Sequence, residues 1–212
     1  MPLPSHFVIT IGRSFGSGGR ELGRLIAQRL GIPFYDNQLL VKAAEASGLN
    51  LNYTEEHDER APHNYTGILP FAIGYYPTSW FGPGPSSAQD YIYAAQCETM
   101  RELARTSPCV IVGRTADYVL EGLVPTFNLF VHAPLEACVA RTLARGEAED
   151  HDKAVALIAR TNKLRSSFYN FYTDKEWGRA DGYHLSLDSS MMPLEELANF
   201  AVNIITTKLE LK

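Results

Sequence analysis

"ITIGRSFGSGGRELGRLIAQRLGIPFYD", residues 9–36, is the stretch on which the fold turns. A compact run with β-branched residues, 7–11, reads as a strand, and residues 12–19 read as a glycine-rich turn. Leu22, Leu25, Ile26 and Leu30 then recur at helical spacing until Gly31 and Pro33 stop the helix. Residues 33–35 read as a short second strand ending at Asp36, and residues 38–47 as a helix closed by Gly48.

A strand-to-helix turn binds phosphate when several backbone N–H groups point inward with a helix N-terminus behind them, and side chains obstruct that approach. Gly16, Gly18 and Gly19 meet the steric requirement. The dinucleotide fingerprint GxGxxG fails, because the reading from Gly16 and Gly18 ends at Glu21 where glycine is needed. A P-loop reads GxxxxGK followed by Ser or Thr; aligned through Gly18, Gly19 stands at the lysine position and Glu21 close to the hydroxyl position. Arg20 lies one residue late and Arg13 sits at the front of the turn, so either supplies positive charge in bidentate form. The phosphate-binding candidates are therefore Gly12, Arg13, Ser14, Gly16, Ser17, Gly18, Gly19, Arg20 and Glu21. A purely structural glycine turn is the alternative.

Working outward, residues 50–87 change character, from the acidic "TEEHDER" to a stretch rich in Pro, Gly and aromatic residues without assignable regular structure. That insert is either a surface or subunit contact or a segment that covers substrate. Helical periodicity returns over residues 88–105, followed by the buried-strand run "CVIVG" at 109–113 and a further strand, "FNLFVHA", from Phe127. Pro134 opens a helix reaching about Arg145. In the helix at about 152–172, Ala154, Leu157, Thr161, Leu164, Phe168 and Phe171 form the expected buried stripe. An adjacent stripe holds Val155, Ile158, Asn162, Arg165, Tyr169 and Tyr172, so that Arg165 either projects beside the core or joins a salt-bridged surface. "YHLSL" at 183–187 is the fifth strand and residues 193–211 a closing helix. Strands alternating with helices imply one α/β domain over residues 1–212 with a parallel sheet.

The bulk properties fit that picture. The chain has 212 residues, 45% of them hydrophobic and 20% charged, enough for one substantial core. A formal charge of −5 argues against a broad nucleic-acid surface, although a local basic cleft still accommodates a small anion. Residues 1–6 lack the regions of a secretory signal and no apolar run has membrane-spanning length, so no membrane partner and a cytoplasmic setting are expected. Cys97, Cys109 and Cys138 share no metal-type spacing and read as buried free thiols. His57 and His63 with Asp58 and Glu59 match no standard ligand spacing, so no metal site is assigned.

Ligands bind at the carboxyl ends of strands in open α/β sheets, and chemistry-bearing residues collect there. Asp36 follows the second strand, and "VGRTADYVL" places Arg114 after the third with Asp117 close behind. Arg141 and Arg145 lie one helical turn apart and so face one site. Tyr169, Tyr172 and Trp177 are either core or a platform for a base.

The opening stretch, "PCVIVGRTADYVL" and "NKLRSSFYNFYTDKEWGRADGYHLSLDSS" together resemble the cytidylate-kinase-like family of P-loop nucleoside monophosphate kinases, and the three motifs stretch across most of the chain. The resemblance implies a three-layer α/β/α P-loop NTPase fold with a five-stranded parallel sheet and a small helical lid near residues 145–153, the lid and its following helix spanning about 145–175. It implies ATP phosphates at the glycine-rich turn, ATP and Mg2+ as cofactors, small-molecule nucleotide substrates, and transfer of a γ-phosphoryl group to CMP, dCMP or a related small acceptor. A homodimer is compatible with the aromatic insert.

The resemblance also implies site roles. Arg20, Arg114, Arg141, Arg145 and Arg165 are the catalytic candidates, with Asp36, Arg114, Asp117, Asn162, Lys163 and Arg165 around the acceptor. The sequence departs from the family pattern twice: Thr115 stands where a GRD aspartate would be, and Asn162 replaces the aspartate of an Asp-x-x-Arg pair. Both departures bear on cytosine recognition. Together with the absent lysine they motivate an alternative, a nucleotide- or phosphate-binding regulatory protein on the same fold.

Overall fold

The structure, a computed structural model, describes residues 6–36 and 88–210. Its sheet contains β1 (Val8–Arg13), β2 (Phe34–Tyr35), β3 (Cys109–Val112), β4 (Thr126–His132) and β5 (Leu185–Asp188), all parallel, in the order β2-β3-β1-β4-β5. The helices among the described residues are α1 (Gly19–Leu30), α2 (Ala88–Thr106), α3 (Ala116–Val119), α4 (Leu135–Ala144), α5 (His151–Tyr172) and α6 (Leu194–Glu210). This is the α/β fold with a five-stranded parallel sheet that the sequence implies.

β1 is central and covered on both faces, which is why its neighbours read as continuous apolar runs. Ile9 and Ile11 point into a core shared with α1 and α6, whereas Val8 joins Cys109 and Ile111 against α2 and α3. Thr10, buried in the same strand, satisfies its hydroxyl by donating to Asn128 Oδ1 at 2.8 Å. α1 presents Leu22 and Ile26, both fully buried, each contributing about 1.5–3 kcal/mol by burial. Gly23 lets the helix lie close, since a β-carbon there would fall 2.8 Å from Ile11 Cδ1. A third, smaller cluster joins Cys138 and Val139 of α4 to Ala154 and Ile158 of α5, with Phe15 of the glycine-rich turn packed into it.

Several boundaries differ from the sequence reading. β1 runs past Ile11 because Gly12 and Arg13 pair with Phe130 and Val131. A short 3-10 turn, Ala180–Gly182, delays β5 to Leu185. The one-turn helix α3 is not signalled by periodicity and starts instead from a left-handed Thr115. The buried line of α5 runs through Ala154, Ile158, Phe168, Tyr169 and Tyr172, so Leu157, Thr161, Leu164 and Phe171 are only partly covered. The helix is rotated because its inner face packs on loops as well as on core.

Residues 145–153, the expected lid, are a turn leading into the start of α5, where the Asp150 carboxylate caps the helix by accepting from Lys153 N–H at 2.8 Å. The expected helix at 38–47, the insert at 50–87 and the histidines at 57 and 63 lie outside the described residues.

Candidate active site

The glycine-rich turn leaves β1 at Arg13 and enters α1 at Gly19. Gly16 and Gly18 both take left-handed backbone, φ 76°, a conformation glycine adopts without steric cost. Ser17 is fully buried and its hydroxyl works inside the turn, donating to Ser14 O at 2.8 Å and accepting Gly19 N–H at 3.4 Å. Outside supports hold the turn. The Arg141 guanidinium donates to Ser17 O at 3.3 Å and to Ser189 O at 2.7 Å, and the Ser189 hydroxyl donates to Ser17 O at 2.5 Å. Asn162 of α5 accepts the Phe15 N–H at 2.7 Å. The Phe15 ring lies beneath Arg165, 5.5 Å from its guanidinium carbon, and near Arg145 at 6.0 Å.

Arg13 and Arg20 go to different places. Arg20 is exposed, and its Nε donates to the buried Asp36 Oδ2 at 2.7 Å with Nη2 2.5 Å from the same oxygen. Arg13 runs beside Gly19 and ends over Gly113, where a β-carbon would lie 2.3 Å from its Nη1. Arg13 therefore reaches a cleft at the carboxyl ends of β1 and β3, lined by residues 10–13 and 113–117 with Arg165, Phe168, Tyr169, Trp177 and Tyr183. Arg20 is not among the lining residues.

The turn after β3 forms the other wall. Arg114 and Thr115 have φ of 60° and 55°, left-handed backbone for residues with side chains, and Gly113 precedes them at 82°. Thr115 shares a 2.7 Å hydrogen bond with the Tyr93 hydroxyl, and Arg114, buried, lies with its guanidinium carbon 5.1 Å from the Phe168 ring centre. Asp117 is buried and accepts the Tyr169 hydroxyl at 2.6 Å. Burial raises the Asp117 carboxyl above its ordinary range, while the Tyr169 hydrogen bond and the Lys175 charge pull it back. The Tyr183 phenol is pushed up to about 12, by burial first and then by the Asp117 charge.

One face of α5 thus serves both turns. Asn162 holds the glycine-rich turn, Arg165 donates from Nη1 to Arg13 O at 3.4 Å, and Tyr169 reaches Asp117. The structure brings Arg13, Arg114, Asp117 and Arg165 together in the cleft. Arg141 sits behind the glycine-rich turn, Arg145 is exposed and pairs with Glu147 at 2.8 Å, and Lys163 and Glu21 are exposed. Sequence reasoning did not single out Phe15, Ser189, Tyr93 or Tyr183. The position of Ser189 directly after the last strand is the only signal that could have found any of them. Tyr172 stacks with Tyr93, ring centres 3.9 Å apart, and belongs to the core, whereas Tyr169 and Trp177 line the cleft. Cys97, Cys109 and Cys138 are free and buried, and burial pushes the Cys109 thiol up to about 12.

A parallel sheet in this order, with a glycine-rich turn between its central strand and the first helix, is the fold of P-loop kinases. Solved structures share it. A gluconokinase from Sinorhizobium meliloti 1021 aligns with TM-score 0.54 at 17% identity, covering 100% of this chain and 98% of its own. A shikimate kinase from Bacteroides thetaiotaomicron aligns with TM-score 0.53 at 14% identity, covering 97% and 99%. An uncharacterized protein from Eubacterium ventriosum ATCC 27560 aligns with TM-score 0.67 at 20% identity, also covering 97% and 99%. The chain belongs to the cytidylate kinase-like family, whose family model matches residues 8–191. No curated protein matches its sequence significantly.

Proposed function

We propose that the protein is an ATP-dependent phosphotransferase that moves a γ-phosphoryl group to a nucleoside monophosphate, CMP or dCMP or a related small acceptor. The observation that carries this reading is the convergence of Arg13, Arg114 and Arg165 in one cleft beside the glycine-rich turn. Phosphoryl transfer asks a protein for positioning and charge neutralisation more than for covalent chemistry, and two guanidinium groups at strand ends, Arg13 and Arg114, with a third from α5, Arg165, supply both.

The turn lies between the end of β1 and the N-terminus of α1, the setting in which backbone N–H groups bind phosphate. Among the described residues no cluster of three or more His, Cys, Asp or Glu is placed to hold a metal ion, and in this reading magnesium would enter with the nucleotide. Bound magnesium and ATP would supply the phosphoryl group and neutralise part of its charge. Arg114 and Arg165 orient the acceptor phosphate; Arg141 keeps the turn in register from behind; Arg145 is exposed, between Glu147 and the Phe15 ring. Among the described residues no helix is long and apolar enough to cross a membrane. The buried free thiols fit a cytoplasmic setting.

A second reading, nucleotide binding with little or no transfer, is favoured by one observation. The cation on the first turn of α1, Arg20, is neutralised by Asp36. Incubating the protein with ATP, magnesium and a panel of nucleoside monophosphates separates the two. The first reading expects ADP together with a nucleoside diphosphate. ATP binding without any phosphorylated product, whatever the acceptor, would establish the second.

A further inference from the structure

We infer that Arg13 delivers the charge that a lysine delivers in other phosphate loops, and that Gly19 and Gly113 are glycine so that the Arg13 side chain can cross the cleft. The inference rests on the phosphate-loop reading above and settles which residue carries its charge.

The geometry at both ends of the side chain points the same way. A β-carbon at residue 19 would lie 2.6 Å from Arg13 Cβ, 3.3 Å from its Cγ and 3.1 Å from Val131 Cβ. Two side chains cannot start there, so a lysine at 19 and an arginine at 13 exclude each other. The glycine at the lysine position is thus the complement of Arg13. At the far end, a β-carbon at residue 113 would lie 2.3 Å from Arg13 Nη1 and 3.0 Å from Cζ. The guanidinium therefore ends at the carboxyl end of β3, in the cleft that Arg114 and Arg165 also line.

The competing cation does not reach that place, because Arg20 is turned onto Asp36. The backbone of Arg13 is fixed in turn: it lies in register with Val131 of β4, the next N–H, of Ser14, donates to Val131 O at 3.0 Å, and the Arg13 carbonyl oxygen accepts from Arg165 Nη1 at 3.4 Å. A guanidinium also suits the task, since its planar donors grip two phosphate oxygens at once where an ammonium acts as a point charge. The ligand class is a polyphosphate whose terminal phosphoryl group lies between the N-terminus of α1 and the end of β3.

Calorimetric titration with inorganic tripolyphosphate and with magnesium–ATP tests this, with thermal melting to confirm folding. Arg13→Met keeps the aliphatic stem and removes the charge; its affinity for both probes should fall roughly tenfold or more, the scale of a charge-assisted hydrogen bond. Arg20→Met should lose less than about threefold, as expected for an exposed pair. Arg13→Gly combined with Gly19→Lys should bind better than Arg13→Gly alone, because losing the Arg13 side chain removes the 2.6 Å and 3.3 Å contacts and leaves only the 3.1 Å approach to Val131 Cβ. The opposite order, with Arg20→Met losing affinity and Arg13→Met binding like the unaltered protein, would overturn the inference. So would a folded double variant no better than Arg13→Gly; if the double variant does not fold, the two methionine variants decide. Failure of the unaltered protein to bind either probe would instead overturn the phosphate-loop reading itself.

Discussion

The turns that follow β1 and β3 reach the same kind of backbone by opposite means. Between β1 and α1 the left-handed positions are Gly16 and Gly18, which adopt them freely, and the turn is held from outside by Arg141, Ser189 and Asn162. After β3 the left-handed positions include Arg114 and Thr115, which carry side chains and store about 1–3 kcal/mol each. That strain is held by Tyr93 on Thr115 and by Tyr169 on Asp117. The first turn is a glycine cradle packed closely on its neighbours; the second carries a side chain, Arg114, into the cleft.

The largest effect is expected where the cradle meets α4. In Gly16→Ala the new β-carbon would lie 2.7 Å from the Cys138 carbonyl oxygen and 2.9 Å from its Cα, backbone that cannot rotate aside. The residue would also sit at φ 76°. Overpacking and left-handed strain together should cost about 3 kcal/mol, read as a lowered urea midpoint at unchanged slope. A loss below about 1 kcal/mol would mean that the cradle flexes, and the contrast between the turns would collapse.

Next is the strut under the strained turn. Tyr169→Phe removes the hydroxyl that donates to the buried Asp117 carboxylate, at a cost of about 1–3 kcal/mol near neutral pH. The pH dependence has a definite sign. Burial raises the Asp117 carboxyl in the folded protein, so its contribution to stability is fully present below the ordinary carboxyl value and is lost as pH rises through the folded one. Removing Tyr169's donor raises it further, because that hydrogen bond favours the charged form. The variant's deficit should therefore shrink on acidification from neutral pH, measured by urea unfolding of both proteins across that range. A deficit independent of pH would show that Asp117 is held by its backbone contacts and that α5 does not brace the β3 turn.

How much of this was legible in the sequence follows the same contrast. The glycine-rich turn, α1 and its Gly31 stop were readable because glycine and apolar spacing are local signals. The parallel sheet was readable because buried central strands leave continuous apolar runs such as "CVIV". The β3 turn was not, since nothing in "GRTAD" announces left-handed arginine and threonine: that geometry is imposed by Tyr93 and Tyr169 from distant parts of the chain. For the same reason the sequence put Arg20, and not Arg13, among the catalytic candidates. The position of Asp36 at the end of β2, which holds Arg20, and the lining of the cleft by Arg13 reverse that order. The buried line of α5 was misplaced because periodicity reports burial against a core, whereas Asn162 and Arg165 face loops.

The smallest effect on stability, and the sharpest test of the contrast, is Thr115→Gly. Glycine adopts φ 55° without strain, which should return about 1–2 kcal/mol. The change also deletes the Tyr93 hydrogen bond, worth about 0.5–1.5 kcal/mol, and loosens the unfolded chain by up to about 1 kcal/mol. These terms nearly cancel, so the urea midpoint should stay within about 1 kcal/mol of the unaltered protein. Function should not be spared in the same way. With Thr115 released, Arg114 is no longer held at φ 60° beneath the Phe168 ring, and acceptor binding should weaken several-fold, seen as a raised KM for the acceptor with little change in the KM for ATP. A variant with unchanged stability and unchanged acceptor KM would mean that the strain at Thr115 aims nothing. A variant with both KM values raised equally would mean that the two turns are one mechanical unit.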